Sequence, residues 1–192
     1  PAHRTLTVVG KQHLRHREVQ RQLRDRHADT VIVQPANKET GPGIILPLMH
    51  IYKSNPEAIV AVFPSDHFIL EEIRFMDHVA LAARAVAHEP SRIVLLALEA
   101  QAPEVEYGYI LPRPSDGQFS LWGMQRATQF VEKPDFRLAQ ELVKAGGLWN
   151  TMIMVFKVRT VLEMMQQLCP ATYYHFASIF DAIGTPIEAR AV

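Results

Sequence analysis

The reading of the fold turns on Ala58-Ile59-Val60-Ala61-Val62-Phe63-Pro64-Ser65-Asp66-His67, six apolar residues halted by a proline and followed at once by an acid. Unbroken apolar character over six positions is the habit of a strand covered on both faces, as inside a parallel sheet. Asp66 is then expected just past the carboxyl end of a central parallel strand, the edge at which open α/β sheets hold their ligands. A second edge of this kind is expected at Phe130-Val131-Glu132-Lys133-Pro134-Asp135, where a strand delivers one acid and one ammonium before a proline stops it. A carboxylate suits a metal ion and a lysine suits a phosphate.

Outward from this stretch, strand and helix patterns alternate. Thr5 to Val9, Val31 to Val33 and Arg92 to Ala97 read as strands. Helical spacing runs from His13 to Asp25, from Thr40 to about Lys53 and from about Glu71 to Ala87, with Thr40-Gly41-Pro42 expected to cap and open the second of these. Between Ala102 and Thr128, Pro, Gly and Ser interrupt the pattern around Tyr107-Gly108-Tyr109-Ile110 and Leu121-Trp122-Gly123-Met124, which predicts a small β-hairpin excursion. Alternation resumes with a strand over 128–132, a helix over 135–145, a strand from Trp149 to Phe156 and one or two helices from Arg159 to Ala182. Repeated strand-helix units of this length predict one α/β domain over residues 1–192, a Rossmann-like, doubly wound, mostly parallel sheet flanked by helices.

Composition narrows the function classes. With 48% apolar and 21% charged residues in 192, the chain has the makeup of an ordinary globular domain. Twenty Lys and Arg balance twenty Asp and Glu, so no overall positive field would hold nucleic acid or an anionic membrane, and an anionic ligand must be met by local groups. The single Cys169 cannot form an internal disulfide, and no CxxC or Cys/His cluster points to zinc, which fits a reducing cytoplasm. No apolar stretch approaches the roughly 20 residues that span a bilayer, and the first residues do not read as a signal peptide.

Several residues could carry chemistry. Thr40 ahead of Gly41-Pro42-Gly43 puts unsatisfied backbone N–H groups where a phosphate or the edge of a base could sit, and serves equally as an ordinary helix start. Asn37 and Lys38 occupy the loop that feeds it, which is otherwise a solvated turn. Asp66 suits Mg²⁺, which takes one or two carboxylates and completes its shell with water and phosphate; Ser65-Asp66-His67 also suits a cap for the helix near Glu71. Gly108 between two tyrosines marks either a close backbone approach, such as a sugar hydroxyl, or a bulge. Glu132 and Lys133 are either a turn set by Pro134 at a sheet edge or a solvated ion pair. Asn150 after Gly146-Gly147-Leu148-Trp149 offers a donor and an acceptor fit for a sugar hydroxyl, or is a turn asparagine.

Taken in order, Gln34-Pro35 to Pro42, Phe63-Pro64-Ser65-Asp66-His67, Tyr107-Gly108-Tyr109-Ile110, Phe130-Val131-Glu132-Lys133-Pro134 and Leu148-Trp149-Asn150 resemble the sugar-1-phosphate nucleotidyltransferases, and most closely the mannose-1-phosphate guanylyltransferases. The resemblance covers nearly the whole chain and implies a nucleotidyltransferase fold that makes GDP-mannose and pyrophosphate from GTP and mannose 1-phosphate, with Mg²⁺ as cofactor. By that resemblance Asp66 is the Mg²⁺ ligand and Lys133 meets the phosphate of the sugar. It also implies that Lys38, Thr40, Pro64 and Ser65 face the nucleotide with Asp66, that Gly108, Glu132 and Asn150 face the sugar, and it leaves room for a homo-oligomer.

The departures are specific. The family's glycine-rich loop, ending in an arginine and a lysine, and an acidic segment that supplies a second metal ligand have no counterpart in these 192 residues. The resemblance therefore implies the central part of a catalytic domain, with little turnover expected of the chain alone. Gln34 stands for the usual Glu, Glu39 for the usual Asn, Val105-Glu106 for a Thr-Gly pair, and Met152 where a glycine is common. Glu39 brings negative charge near a nucleotide and Met152 crowds a backbone approach. A metal-binding acid and a lysine, rather than a Ser-His pair, suit a reaction whose nucleophile is already an ionised phosphate. The alternative is a non-catalytic binding or regulatory module that keeps the sugar-nucleotide pocket. A dinucleotide oxidoreductase is disfavoured because no GxGxxG follows a strand.

Overall fold

The computed structural model describes residues 4–115 and 117–191. In chain order its regular elements are β1 (Thr7–Gly10), α1 (Arg17–Leu23), β2 (Val31–Gln34), α2 (Thr40–Ser54), β3 (Ile59–Val62), α3 (Glu72–His88), β4 (Ile93–Glu99), β5 (Tyr109–Pro114), α4 (Gly117–Leu121), β6 (Gln125–Val131), α5 (Phe136–Lys144), β7 (Leu148–Lys157), α6 (Val158–Leu168), α7 (Pro170–Ala182) and α8 (Glu188–Ala191). They group into two compact units: Ile59–Lys157, and the two flanking segments, ending at Ala58 and resuming at Val158.

In the flanking unit β1 and β2 pair in parallel, with Thr7 opposite Val31 and Gly10 opposite Gln34. α2 follows, and its side chains Ile45, Leu46, Leu48 and Met49 are all but inaccessible to solvent. Burial of each such side chain is worth about 1.5–3 kcal/mol, which holds α2 against α6 and α7 in spite of Pro47 in its interior. Lys53 Nζ donates to the carbonyls of Phe180 and Ile183 at 2.9 and 2.7 Å. These lie at the end of α7, where carbonyls lack helical partners and a cation is favoured. Thr40 is the first helical residue rather than the cap. The cap position belongs to Glu39, which has φ 69° and no side-chain bond to the helix.

The other unit is a five-stranded sheet organised by β7. β3 and β4 lie on opposite sides of the carboxyl half of β7, and β5 pairs with its first two residues, Leu148 and Trp149. β6 continues the sheet beyond β5. α3 lays Val79, Ala82 and Val86 on Val155 of β7, with Ala61, Val94 and Leu96 around them. α5 is opened by Asp135, whose carboxylate accepts the N–H of Leu138 at 2.8 Å, and it buries Ala139 and Leu142 against Tyr109 and Leu111.

The α/β class holds, but the pairing differs from the expectation of a mostly parallel sheet. Among the described residues only β1 and β2 pair in parallel, and every pairing around β7 is antiparallel. β3 is accordingly not a central parallel strand. Its one strand partner among the described residues is the antiparallel β7, and Ile59 remains 40% exposed. An apolar run records how greasy a strand is, and not the direction of its neighbour. The segment read as an excursion is a hairpin, β5 and β6 with α4 between them, but it is built into the main sheet through β5 and β7.

Candidate functional site

Because β3, β4 and β5 all run against β7, the end of β3, the start of β5, the end of β6 and the start of β7 come to neighbouring positions of one sheet. Four of the sequence motifs lie there. Asp66 sits in the turn after β3, exposed, with its carboxylate in no hydrogen bond or ion pair among the described residues. Asp66, Tyr107, Trp149 and Asn150 line one cavity of about 1370 Å³. Its remaining wall is chiefly apolar, with Leu98 of β4 and Phe119 of α4 among the contributors.

Glu132 and Lys133 are not on that lining, and join it through residues 106–108. Glu106 Oε2 stands 3.5 Å from Lys133 Nζ. Gly108 accepts the backbone N–H of Asn150 at 2.8 Å. A Cβ on Gly108 would lie 2.8 Å from Glu132 Oε2 and 3.0 Å from the Phe130 ring, so the Glu132 carboxylate and the Phe130 ring pack directly on the Gly108 backbone and a larger residue would make both side chains shift. Gly108, Glu132 and Asn150 are thus brought together, with Lys133 beside them. β6, which was expected to be buried, is exposed over nearly its whole length, because α5 packs only near its end at Val131.

Asn150 sits at an irregularity. Leu96 of β4 pairs with Ile153 of β7, whereas Ala97 pairs with Asn150, so Thr151 and Met152 are extra residues on β7. Thr151 Oγ1 donates to the carbonyl of Leu96 across the bulge. Met152 takes φ 58°, its N–H donates to Asn150 Oδ1 at 3.1 Å, and Asn150 Nδ2 donates to Met152 Sδ at 3.0 Å. Lys133, at φ 41°, is the other left-handed non-glycine residue among the described residues of this unit. Left-handed backbone costs a non-glycine residue about 1–2 kcal/mol, and such strain gathers where a side chain must be aimed.

Three features of the site have no counterpart in the sequence expectations. Trp149 Nε1 is buried without a hydrogen-bond partner among the described residues, on the cavity wall beside Asn150. The Tyr107 ring stands edge-on to Trp149 with centroids 5.2 Å apart. Glu106 carries the acid that meets Lys133. None has a local signal, because each depends on which strands become neighbours. Pro64 is half-buried and Ser65 exposed, both in the turn with Asp66 and neither on the cavity lining. Lys38 and Thr40 are exposed residues of the flanking unit. His67, read in the sequence only as part of a possible helix cap, also lines the cavity. No cluster of three or more His, Cys, Asp or Glu occurs among the described residues, so a metal here would rely on one carboxylate with water and phosphate, the mode Mg²⁺ accepts.

The chain belongs to the nucleotidyl transferase family, whose profile matches residues 2–181. The alginate biosynthesis protein AlgA of Pseudomonas aeruginosa is 30% identical over 184 residues, covering 95% of this chain and 36% of that protein. Mannose-1-phosphate guanylyltransferase 2 of Escherichia coli O157:H7 is 29% identical over 177 residues, with 88% and 36% covered. The chain therefore spans 36% of the length of either relative. Among solved structures, one described as mannose-1-phosphate geranyltransferase from Thermus thermophilus matches with a TM-score of 0.82 at 26% identity, over 100% of this chain and 52% of that one. A mannose-6-phosphate isomerase structure from Helicobacter pylori shares the fold, with a TM-score of 0.69 at 22% identity.

Proposed function

We propose that the protein to which this chain belongs transfers a guanylyl group from GTP to mannose 1-phosphate, giving GDP-mannose and pyrophosphate for polysaccharide biosynthesis. The observation that carries this reading is the convergence of Asp66, Gly108, Glu132, Lys133 and Asn150 on one set of strand ends. The family match and the named relatives support it. In the reaction a phosphate oxygen of mannose 1-phosphate bonds to the α-phosphorus of GTP while the bond from that phosphorus to the bridging oxygen breaks, and pyrophosphate leaves. No proton need be removed from the nucleophile, so the work left to the protein is alignment and charge neutralisation.

Lys133 then faces the sugar phosphate, exchanging the Glu106 carboxylate for it. Gly108, Glu132 and Asn150 hold the sugar, while Lys38, Thr40, Pro64 and Ser65 attend the nucleotide. Asp66 would hold Mg²⁺, which supplies charge to the phosphates when bound. No described helix is long and apolar enough to cross a membrane, and Cys169 is free, consistent with a cytoplasmic reaction. A second reading, a binding module without turnover, is supported by the departures at Gln34, Glu39, Val105-Glu106 and Met152.

Steady-state kinetics of the protein containing this chain test the assignment. Lys133→Ala should raise KM for mannose 1-phosphate about tenfold or more and change that for GTP less, since a hydrogen bond to a charged group is worth about 1.5–3 kcal/mol. Asp66→Asn should lose turnover that added Mg²⁺ partly restores. Normal kinetics in both variants would remove the site; binding of mannose 1-phosphate with no pyrophosphate release in the unaltered protein would favour the second reading.

A further inference from the structure

Met152 has no role in the chemistry above, yet three observations single it out: an insertion of two residues into β7, a left-handed backbone on a residue with a Cβ, and two hydrogen bonds to one neighbouring side chain. That side chain is Asn150, which lines the cavity with Asp66 and Tyr107. Asn150 can donate two hydrogen bonds and accept at one oxygen. The Met152 N–H takes the oxygen and its sulfur takes one of the donors. The two bonds differ in kind. The first closes a turn within the backbone and survives any substitution except proline. The second ends on a thioether, a weak acceptor that any residue without sulfur would vacate.

We propose that Met152 is a positioning and affinity-setting residue for the sugar. Its backbone aims Asn150, and its sulfur holds one of the two Asn150 amide donors that would otherwise be open to a sugar hydroxyl. The inference rests on the reading of Asn150 as a sugar ligand. A hydroxyl oxygen is a stronger acceptor than a thioether, so the substrate displaces the sulfur and the exchange lowers affinity without abolishing it. Met152→Gly keeps the aiming bond, suits the left-handed backbone and frees the donor.

The test has two parts. In the unaltered chain, nuclear Overhauser contacts between the Met152 methyl group and the Asn150 side-chain amide are expected, and their absence would overturn the proposal whether or not any sugar binds. Calorimetric titration with mannose 1-phosphate should then show Met152→Gly binding about two- to tenfold more tightly than the unaltered chain, the worth of one neutral hydrogen bond. In the Asn150→Ala background the same substitution should change nothing. Equal binding by the unaltered chain and Met152→Gly would overturn the role of Met152 and leave the sugar site standing. Lack of binding by both, with the methyl contact present, would overturn the sugar reading and this proposal together.

Discussion

The loop before α2 and the bulge in β7 use the same local device for opposite ends. At Asn37 and Glu39, as at Asn150 and Met152, an asparagine oxygen accepts the N–H of the residue two positions on, at 3.0 and 3.1 Å, and that second residue is left-handed, at φ 69° and 58°. Around Asn37 the turn is exposed and starts a helix. Around Asn150 it is half-buried, interrupts a strand at the cavity wall, and has the added bond from the amide to sulfur. The lesson is that an asparagine turn is a generic hinge, and its meaning comes from what surrounds it. A solvated one shapes the backbone, while an enclosed one also aims a side chain.

The largest expected effect separates the two turns directly. Asn150→Ala should destabilise the fold by about 1–2 kcal/mol, because it leaves a half-buried N–H without its acceptor, whereas Asn37→Ala should cost about 0.5 kcal/mol or less, since water replaces the lost oxygen. Urea unfolding of the two variants measures this, and equal losses would break the comparison.

A smaller effect of opposite sign sharpens it. Glu39→Gly relieves a left-handed backbone at an exposed site and should stabilise by about 1 kcal/mol. Met152→Gly relieves the same strain but loses partly buried side-chain contacts, so its net gain should be less than about 0.5 kcal/mol. A larger gain from Met152→Gly would mean that its side chain contributes nothing to packing.

The smallest effect lies in the flanking unit. Burial holds the pKa of His50 below 6.5; the nearby Lys53 pushes the same way and the Glu188 carboxylate, 3.7 Å away, only partly offsets them. His50 is therefore neutral at pH 7, and its contact with Glu188 is not an ion pair. The unfolded chain binds this proton more readily, so the contribution is fully present above 6.5 and is lost progressively as pH falls below it and through the lowered folded-state pKa. Unfolding midpoints taken at about pH 7.5 and about pH 5.5 should drop less in His50→Gln than in the unaltered chain. An equal drop in both would assign the acid sensitivity to other groups.

Much of this was legible in the residues. Apolar runs and helical spacing marked β1, β2, α2, β3, α3, β4, α5 and β7 to within two residues, but they started α1 too early and β6 too late and did not mark α4 or α8; prolines and glycines marked the turns where Asp66, Gly108 and Glu132 fall. Glu39 and Met152, both read from the sequence as departures from the resemblance, prove left-handed, a backbone that favours glycine. Pairing direction was not legible, since β3 has the same composition whether β7 runs with it or against it. Nor was the exposure of β6, which depends on where α5 lies. The contact of Glu106 with Lys133 joins residues 27 positions apart (133 − 106) and arises only once β5 and β6 form a hairpin.

The proposed site of the sugar phosphate is Lys133, at the strand ends beside the cavity of the β7 bulge, where the Glu106 carboxylate now meets it. Titration of mannose 1-phosphate into the isotopically labelled chain, followed through its backbone amides, tests this most directly. The expected result is saturable shifts at Tyr107, Gly108, Glu132, Lys133 and Asn150, weakened in Lys133→Ala and much smaller when mannose replaces its phosphate. Shifts confined to other parts of the chain, or shifts in which mannose and mannose 1-phosphate are indistinguishable, would contradict the account.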